Sequence, residues 1–199
     1  MVRSRFVFIS EATALDFLNT EIVAEGRPVD LLARWADLVD WLVEARLLRK
    51  KDASTVRAVA GDSAEAMLDE IKAFRRLLRG LVLRLRDGGA PKVKELGAIN
   101  GALRRGGGAL RLSLEEGGMQ LAFEADSSGA RDPHFLIARA AAEFLAMADP
   151  SRIGICRATN CILIYYDTTK SRTRRWCSMA TCGNRAKAAL FYKRSRGEE

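Results

Sequence analysis

The chain has 199 residues, of which 48% are apolar and 29% charged, with a formal net charge of +8. That length supports one sizeable core, or one core with a small appended module. No apolar run approaches the roughly 20 residues that a membrane span needs, because Arg and Asp interrupt every candidate. No secretory cleavage pattern follows Met1–Ser10, so a cytoplasmic protein with no membrane partner is expected. The charge is unevenly placed. Residues 1–150 hold 22 Lys and Arg against 22 Asp and Glu, whereas residues 151–199 hold 11 against 3. A neutral body with a basic end points to an anionic polymer approached by that end.

In chain order, Leu15, Phe17, Leu18 and Ile22 fall at helical spacing and predict a first helix over 11–24, stopped by Gly26 and Pro28. Leu31, Leu32, Trp35, Leu38, Val39, Leu42 and Val43 recur three and four apart. They predict a second amphipathic stretch over 30–48, with Asp30 as its cap and a break near Asp37. Trp35 and Trp41 lie on different faces of it, and at least one belongs in the core. A longer helix is predicted from Asp62 to Arg86, closed by Gly88 and Gly89, and Pro91 suits the first turn of the next, running to about Arg105.

After Gly106–Gly108 the period becomes alternating. Leu110, Leu112 and Leu114, then Met119, Leu121 and Phe123, flank Gly117 and Gly118 and predict a β-hairpin. Asp132–Pro133 opens a helix that ends at Asp149–Pro150. The lone His134, in its first turn, is expected at the surface or in a capping role. The fold class expected is therefore mainly α with a small β-hairpin: a helical N-terminal domain over 1–150 that folds alone, a joint at 151–155, and over 151–199 a C-terminal module whose four cysteines, Cys156, Cys161, Cys177 and Cys182, suit a zinc ribbon or treble-clef-like fold.

The chemistry lies in that module. Cys156 and Cys161 are separated by four residues, as are Cys177 and Cys182, with fifteen residues between the pairs. Two short loops, each offering two thiolates, can place four sulfurs tetrahedrally around one ion. A ligand set of soft thiolates selects Zn2+ over Mg2+ or Ca2+, and a closed shell leaves no position for water, so the zinc is expected to be structural. Buried free thiols or a redox pair are the alternative. Residues 161–168 read as a strand turning at Lys170–Arg174 into a second strand, and Gly183–Arg196 reads as a helix.

The run from Arg174 through Trp176, Cys177, Cys182, Gly183, Asn184 and Arg185 to Lys187 resembles the CGNR zinc-finger family, named for its Cys182–Arg185 tetrapeptide. Cys156, Cys161 and Asp167–Thr168 also fit it. The stretch Leu15-Asp16-Phe17-Leu18-Asn19-Thr20 is similar to the opening of the ABATE-like domain that precedes this finger. Between about 54 and 130 the likeness is one of layout. The resemblance implies a bacterial transcription regulator with a mostly helical N-terminal domain.

Lys170, Arg172, Arg174 and Arg175 on the expected turn and strand, with Arg185, Lys187, Lys193, Arg194 and Arg196 on the expected helix, are the candidate nucleic-acid-binding residues. Asn184 and Arg185 could instead brace the sulfur knuckle. Asp16, Asn19 and Thr20 either line a pocket or bond a neighbouring loop, and Trp176 shields the metal or stacks on a base. The reading is a regulator whose finger contacts DNA while the body dimerises or senses an effector. The alternatives are a protein-interaction module stapled by zinc and an RNA binder. No nucleophile with a base, paired acid or open metal site stands out, so no enzyme is expected.

Overall fold

The computed structural model describes residues 4–9, 12–115 and 118–196; the side chains of 110–122 and of Lys193 lie outside the description, as do Glu11 and Gly117 from the predicted first helix and hairpin turn. The described residues are mainly helical with small antiparallel strand pairs, in keeping with the periodicity. No described helix is long and apolar enough to cross a membrane.

The first predicted helix is shorter than its spacing suggests. Helix α1 covers Thr13–Leu18, and the chain then turns into strands β1 (Glu21–Ala24) and β2 (Arg27–Asp30). Ala24 pairs with Arg27, leaving Glu25 and Gly26 as a two-residue turn with φ of 51° and 76°. Positive φ at both central residues is the turn that matches strand twist. Gly26 is thus a hairpin signal rather than a helix stop, and the β-branched Ile22 and Val23 suit the strand. Asp30 accordingly ends β2 instead of capping a helix, and its Oδ1 accepts from the Leu32 N–H at 3.0 Å.

Helix α2 (Trp35–Glu44) starts where Asp37 Oδ2 accepts from the Arg34 N–H at 2.7 Å. Both Trp35 and Trp41 are buried, and the Trp41 ring lies 5.4 Å from that of Phe17. A short α3 (Ala53–Arg57), which no periodicity announces, leads into the 26-residue α4 (Gly61–Arg86). Helix α5 (Val93–Arg104) follows, then β3 (Ala109–Glu115) and β4 (Gly118–Glu124), registered with Leu112 opposite Leu121. Helix α6 (Pro133–Met147) is capped as its sequence predicts, with Asp132 Oδ1 accepting from the Phe135 N–H at 3.0 Å.

Leu15, Phe17 and Leu18 of α1, Leu38 and Leu42 of α2, Ile71, Leu78 and Leu81 of α4, and Ile137 of α6 meet in one core. One cation lies within it. Arg75 is fully buried and donates to both carboxylate oxygens of Asp30 at 2.9 and 2.6 Å, to Glu21 at 3.1 Å and to Thr20 Oγ1 at 2.7 Å. Burial pushes the Asp30 carboxyl up, but the Arg75 bonds outweigh it and hold Asp30 below the usual range. The guanidinium ties the β1–β2 hairpin to α4.

His134 is also inside, not at the surface: α4 and α5 cover it, Nε2 lies 3.4 Å from the Glu70 carboxylate and Nδ1 lies 4.0 Å from that of Asp132. Burial, reinforced by Arg105, lowers its pKa from the ordinary 6.5.

Packing continues past Pro150. The expected joint is a turn followed by strand β5 (Ile153–Ile155), which pairs with β6 (Ile164–Tyr166), and Ile153 and Ile164 are both part of the main core. Strand β6 is therefore shorter than predicted, and its partner precedes the first cysteine instead of following the Lys170–Arg174 turn. Helix α7 (Asn184–Ser195) is the last described element and lies one residue inside its predicted limits at each end.

Candidate metal centre

The β5–β6 hairpin builds the first knuckle. Cys156 follows β5, and its N–H donates to the Leu163 carbonyl at 2.9 Å, closing the ladder; Asn160, at φ 62°, turns the loop so that Cys161 comes back beside it. Gly154 faces Tyr165 across the hairpin, and a Cβ there would collide with the Tyr165 ring. The missing side chain lets that ring lie flat beside the cysteines.

The second knuckle is a wide π-type turn, Met179–Gly183, that runs into α7. It carries Cys182, and Cys177 stands just before it. Arg174 fixes the approach. Its guanidinium donates to the carbonyls of Trp176 at 3.1 Å, Tyr166 at 3.1 Å, Cys177 at 2.6 Å and Ile9 at 3.1 Å, and stacks over Tyr165 at 4.5 Å. Asp167 supports the same loop: Oδ1 accepts from the Thr169 N–H and hydroxyl, and Oδ2 from the Arg174 N–H at 3.0 Å.

These loops bring four free thiols together, with all Sγ atoms within 4.8 Å of one another. Cys161 lies 3.8 Å from Cys177, and Cys177 lies 3.4 Å from Cys182. Four sulfurs at about 2.3 Å from one zinc have edges of about 3.8 Å, so the donor set fits one tetrahedral Zn2+. As bare thiols the group is poorly placed to ionise. Burial, with Cys156 and Cys182 nearby, pushes Cys161 up to about 11, and burial with the same crowding pushes Cys177 up further. Cys182 moves the other way: bonds from Cys177 and from Arg185, whose Nη2 sits 3.2 Å from its sulfur, outweigh burial. A dication supplies the charge that this crowding calls for.

The site is joined to the body by hydrogen bonds as well as by packing. The Asn19 amide is fully buried; Nδ2 donates to the Ile164 carbonyl at 2.8 Å and Oδ1 accepts from the Ile164 N–H at 2.9 Å. The side chain that follows the last residue of α1 thus acts as a third strand for β6. Arg79 of α4 donates to the Leu18 carbonyl at 2.9 Å and to Ile162, inside the hairpin loop, at 3.3 Å. Asp16 Oδ1 accepts from the Ile9 N–H, and Thr20 donates to the Phe17 carbonyl at 2.7 Å. Asp16, Asn19 and Thr20 thus bond neighbouring segments.

A family model described as ABATE, "Putative stress-induced transcription regulator", matches residues 11–148, and one described as the CGNR zinc finger matches residues 152–195. The chain belongs to the ABATE family. The ABATE match ends and the CGNR match begins on either side of Pro150, although the core of this ABATE protein runs across that point. No curated protein matches the chain.

The predicted basic residues fall into distinct settings. Arg174 is half-buried and committed to carbonyls, and Arg185 reaches back to the Cys182 sulfur and braces the knuckle. Arg172, at φ 51°, sits 3.5 Å from Asp149. Lys170, Arg175, Lys187, Arg194 and Arg196 are exposed and form no ion pair among the described residues; Arg175 stacks over Trp176 at 5.8 Å. The sequence pattern singles out none of Tyr165, Arg79, Arg152 and Arg157. The first two carry no spacing signal; the others are visible only in the charge count.

Proposed function

We propose that this ABATE protein is a zinc-stabilised cytoplasmic regulator that binds duplex DNA through the exposed cations of its finger. The observation that carries this reading is the distribution of carboxylates. From Ser151 to Arg196 the only acidic residue is Asp167, which is 5% exposed and turned inward to Thr169 and Arg174. Among the described residues, Lys170, Arg175, Lys187, Arg194 and Arg196 therefore present positive charge that no neighbouring carboxylate of the finger offsets, which is what phosphate binding requires. The zinc serves to hold the knuckles that orient these residues. A four-thiolate shell offers no open position, so the proposed function is non-catalytic.

A protein-interaction reading draws on a different observation: Leu190, Phe191 and Tyr192 of α7 are 51%, 69% and 64% exposed. One experiment separates the two. Replacing Lys170, Arg175, Lys187 and Arg194 with Ala should leave zinc content unchanged and remove duplex binding at moderate salt. The log–log salt slope should flatten by about 0.9 for each phosphate that the variant no longer neutralises. Unchanged affinity and slope in the variant would reject the DNA reading, as would a wild type that ignores duplex at low salt.

A further inference from the structure

At the seam between body and finger, Arg86, Arg152, Arg157, Arg172 and Arg174 line a cleft of about 460 Å³ together with one carboxylate, Asp167. Arg86 is the last residue of α4; the others belong to the finger. Two walls are fixed. Arg174 is held by its four carbonyls, and Arg152 donates to the carbonyls of Asp167 at 2.8 Å and Thr169 at 3.3 Å. Carbonyl dipoles orient these guanidinium groups but do not cancel their charge.

Nor do the carboxylates cancel it. Asp167 spends its oxygens on Thr169 and Arg174, and the nearest other acids lie at the rim: Asp149, 3.8 Å from Arg152 and 3.5 Å from Arg172, and Asp87 beside Arg86 at 2.7 Å. Arg157 is exposed and has no ion pair among the described residues. Even with both rim carboxylates counted, cations outnumber anions around the cleft. Its floor is set by Gly154, whose missing Cβ admits the Tyr165 ring on which Arg174 stacks.

We propose that this cleft binds a phosphate group, with Arg152 and Arg174 as preset walls and Arg86, Arg157 and Arg172 as arms that close on it. Forked guanidinium donors approaching from both sides match a tetrahedral oxyanion, which accepts on several faces, better than a planar carboxylate. The phosphate is either a diester of duplex DNA, in which case the site deepens the DNA-binding reading and rests on it, or part of a free phosphorylated compound. In both cases the body supplies Arg86, so α4 and the finger hold the same anion.

The test uses full-length zinc-loaded protein and the double variant Arg86→Gln/Arg157→Gln, with Arg76→Gln, an exposed cation of α4 outside the cleft, as the charge control. Arg157→Gln alone repeats the test if Arg86→Gln loosens the end of α4. Two probes are used: a short duplex at two salt concentrations, and inorganic pyrophosphate by calorimetry. If the site takes a DNA phosphate, the double variant loses roughly tenfold in duplex affinity per arginine replaced at about 0.1 M salt. Its slope then flattens by about 1.8, while Arg76→Gln changes far less. If it takes a free phosphate, pyrophosphate heat seen with wild type disappears in the double variant while duplex binding matches the control. A double variant indistinguishable from Arg76→Gln with both probes overturns the proposal. A wild type that fails to bind duplex defeats the DNA reading alone, and pyrophosphate then decides the site.

Discussion

The body and the finger are stabilised by different means. Around α4 the body buries a continuous set of Leu, Ile, Phe and Trp side chains, whereas the finger's own buried cluster is Cys156, Tyr165, Cys177 and Cys182. Apart from one tyrosine, every member of that cluster is a cysteine. Hydrophobic transfer can hold the first region. In the second the ion stands where a core would be, and Arg174 and Asp167 satisfy the backbone that a core would otherwise cover. A finger of this size can form beside a larger domain only if its metal, or its neighbour, replaces the missing apolar surface.

The strongest test of that contrast is to remove the metal. Cys177→Ser should abolish zinc binding and leave 156–196 open to protease, while α1 to α6 keep their helical signal; structural zinc contributes about 10–16 kcal/mol in isolated fingers. Metal analysis with limited proteolysis checks this. Collapse of the body as well would show that the two regions are not separately stabilised.

Cutting the chain after Pro150 probes the contrast from the other side. Loss of Ile153 and Ile164 from the core should cost roughly 3–6 kcal/mol at about 1.5–3 kcal/mol for each buried side chain. The Tm of residues 1–150 by circular dichroism should fall accordingly. An unchanged Tm would mean that the body needs nothing from β5 and β6.

A milder version of the same cut is Asn19→Ala. It leaves the buried N–H and C=O of Ile164 without their side-chain partner, at about 2–4 kcal/mol for the pair. Denaturant unfolding should show the loss with zinc content unchanged. A variant as stable as wild type would mean that packing alone closes the seam.

The smallest expected effect concerns His134, deep in the body. Its folded pKa lies below the unfolded 6.5, so below that pH the unfolded chain takes up a proton that the folded chain refuses. The stabilisation is full above about pH 6.5 and is lost as pH falls toward the folded pKa. Thermal melts from neutral to mildly acidic pH should show a decline that His134→Phe reduces. Parallel curves would place the acid sensitivity elsewhere.

The sequence made legible what depends on spacing. Helices α4 and α6 follow from apolar periodicity with a cap or Gly stop, and the four cysteines from two matched intervals. Helix α2 is legible only in its middle, because β2 claims Asp30. Elements set by long-range pairing were hidden. Ile22 and Val23 suit either a helix or a strand, and the choice falls to the Glu25–Gly26 turn, whose backbone φ a residue name does not reveal. The partner of β6 is β5, short enough to resemble a linker. Among the site residues, a list of cations cannot tell Arg174, bonded to four carbonyls, from Arg175, which faces solvent; the difference lies in where the chain places nearby C=O groups. Asn19 stands out as a polar residue in an apolar helix, but its partner is 145 positions away.

That pairing also limits how the molecule can respond to a signal. A finger on a flexible linker could swing while its domain stayed still. Here the amide of Asn19 grips the backbone of β6, and Cys161 lies only three residues before Ile164. A displacement of α1 therefore reaches the sulfur cage with almost no slack, and the finger can be reoriented only by moving with the body or by breaking this clasp.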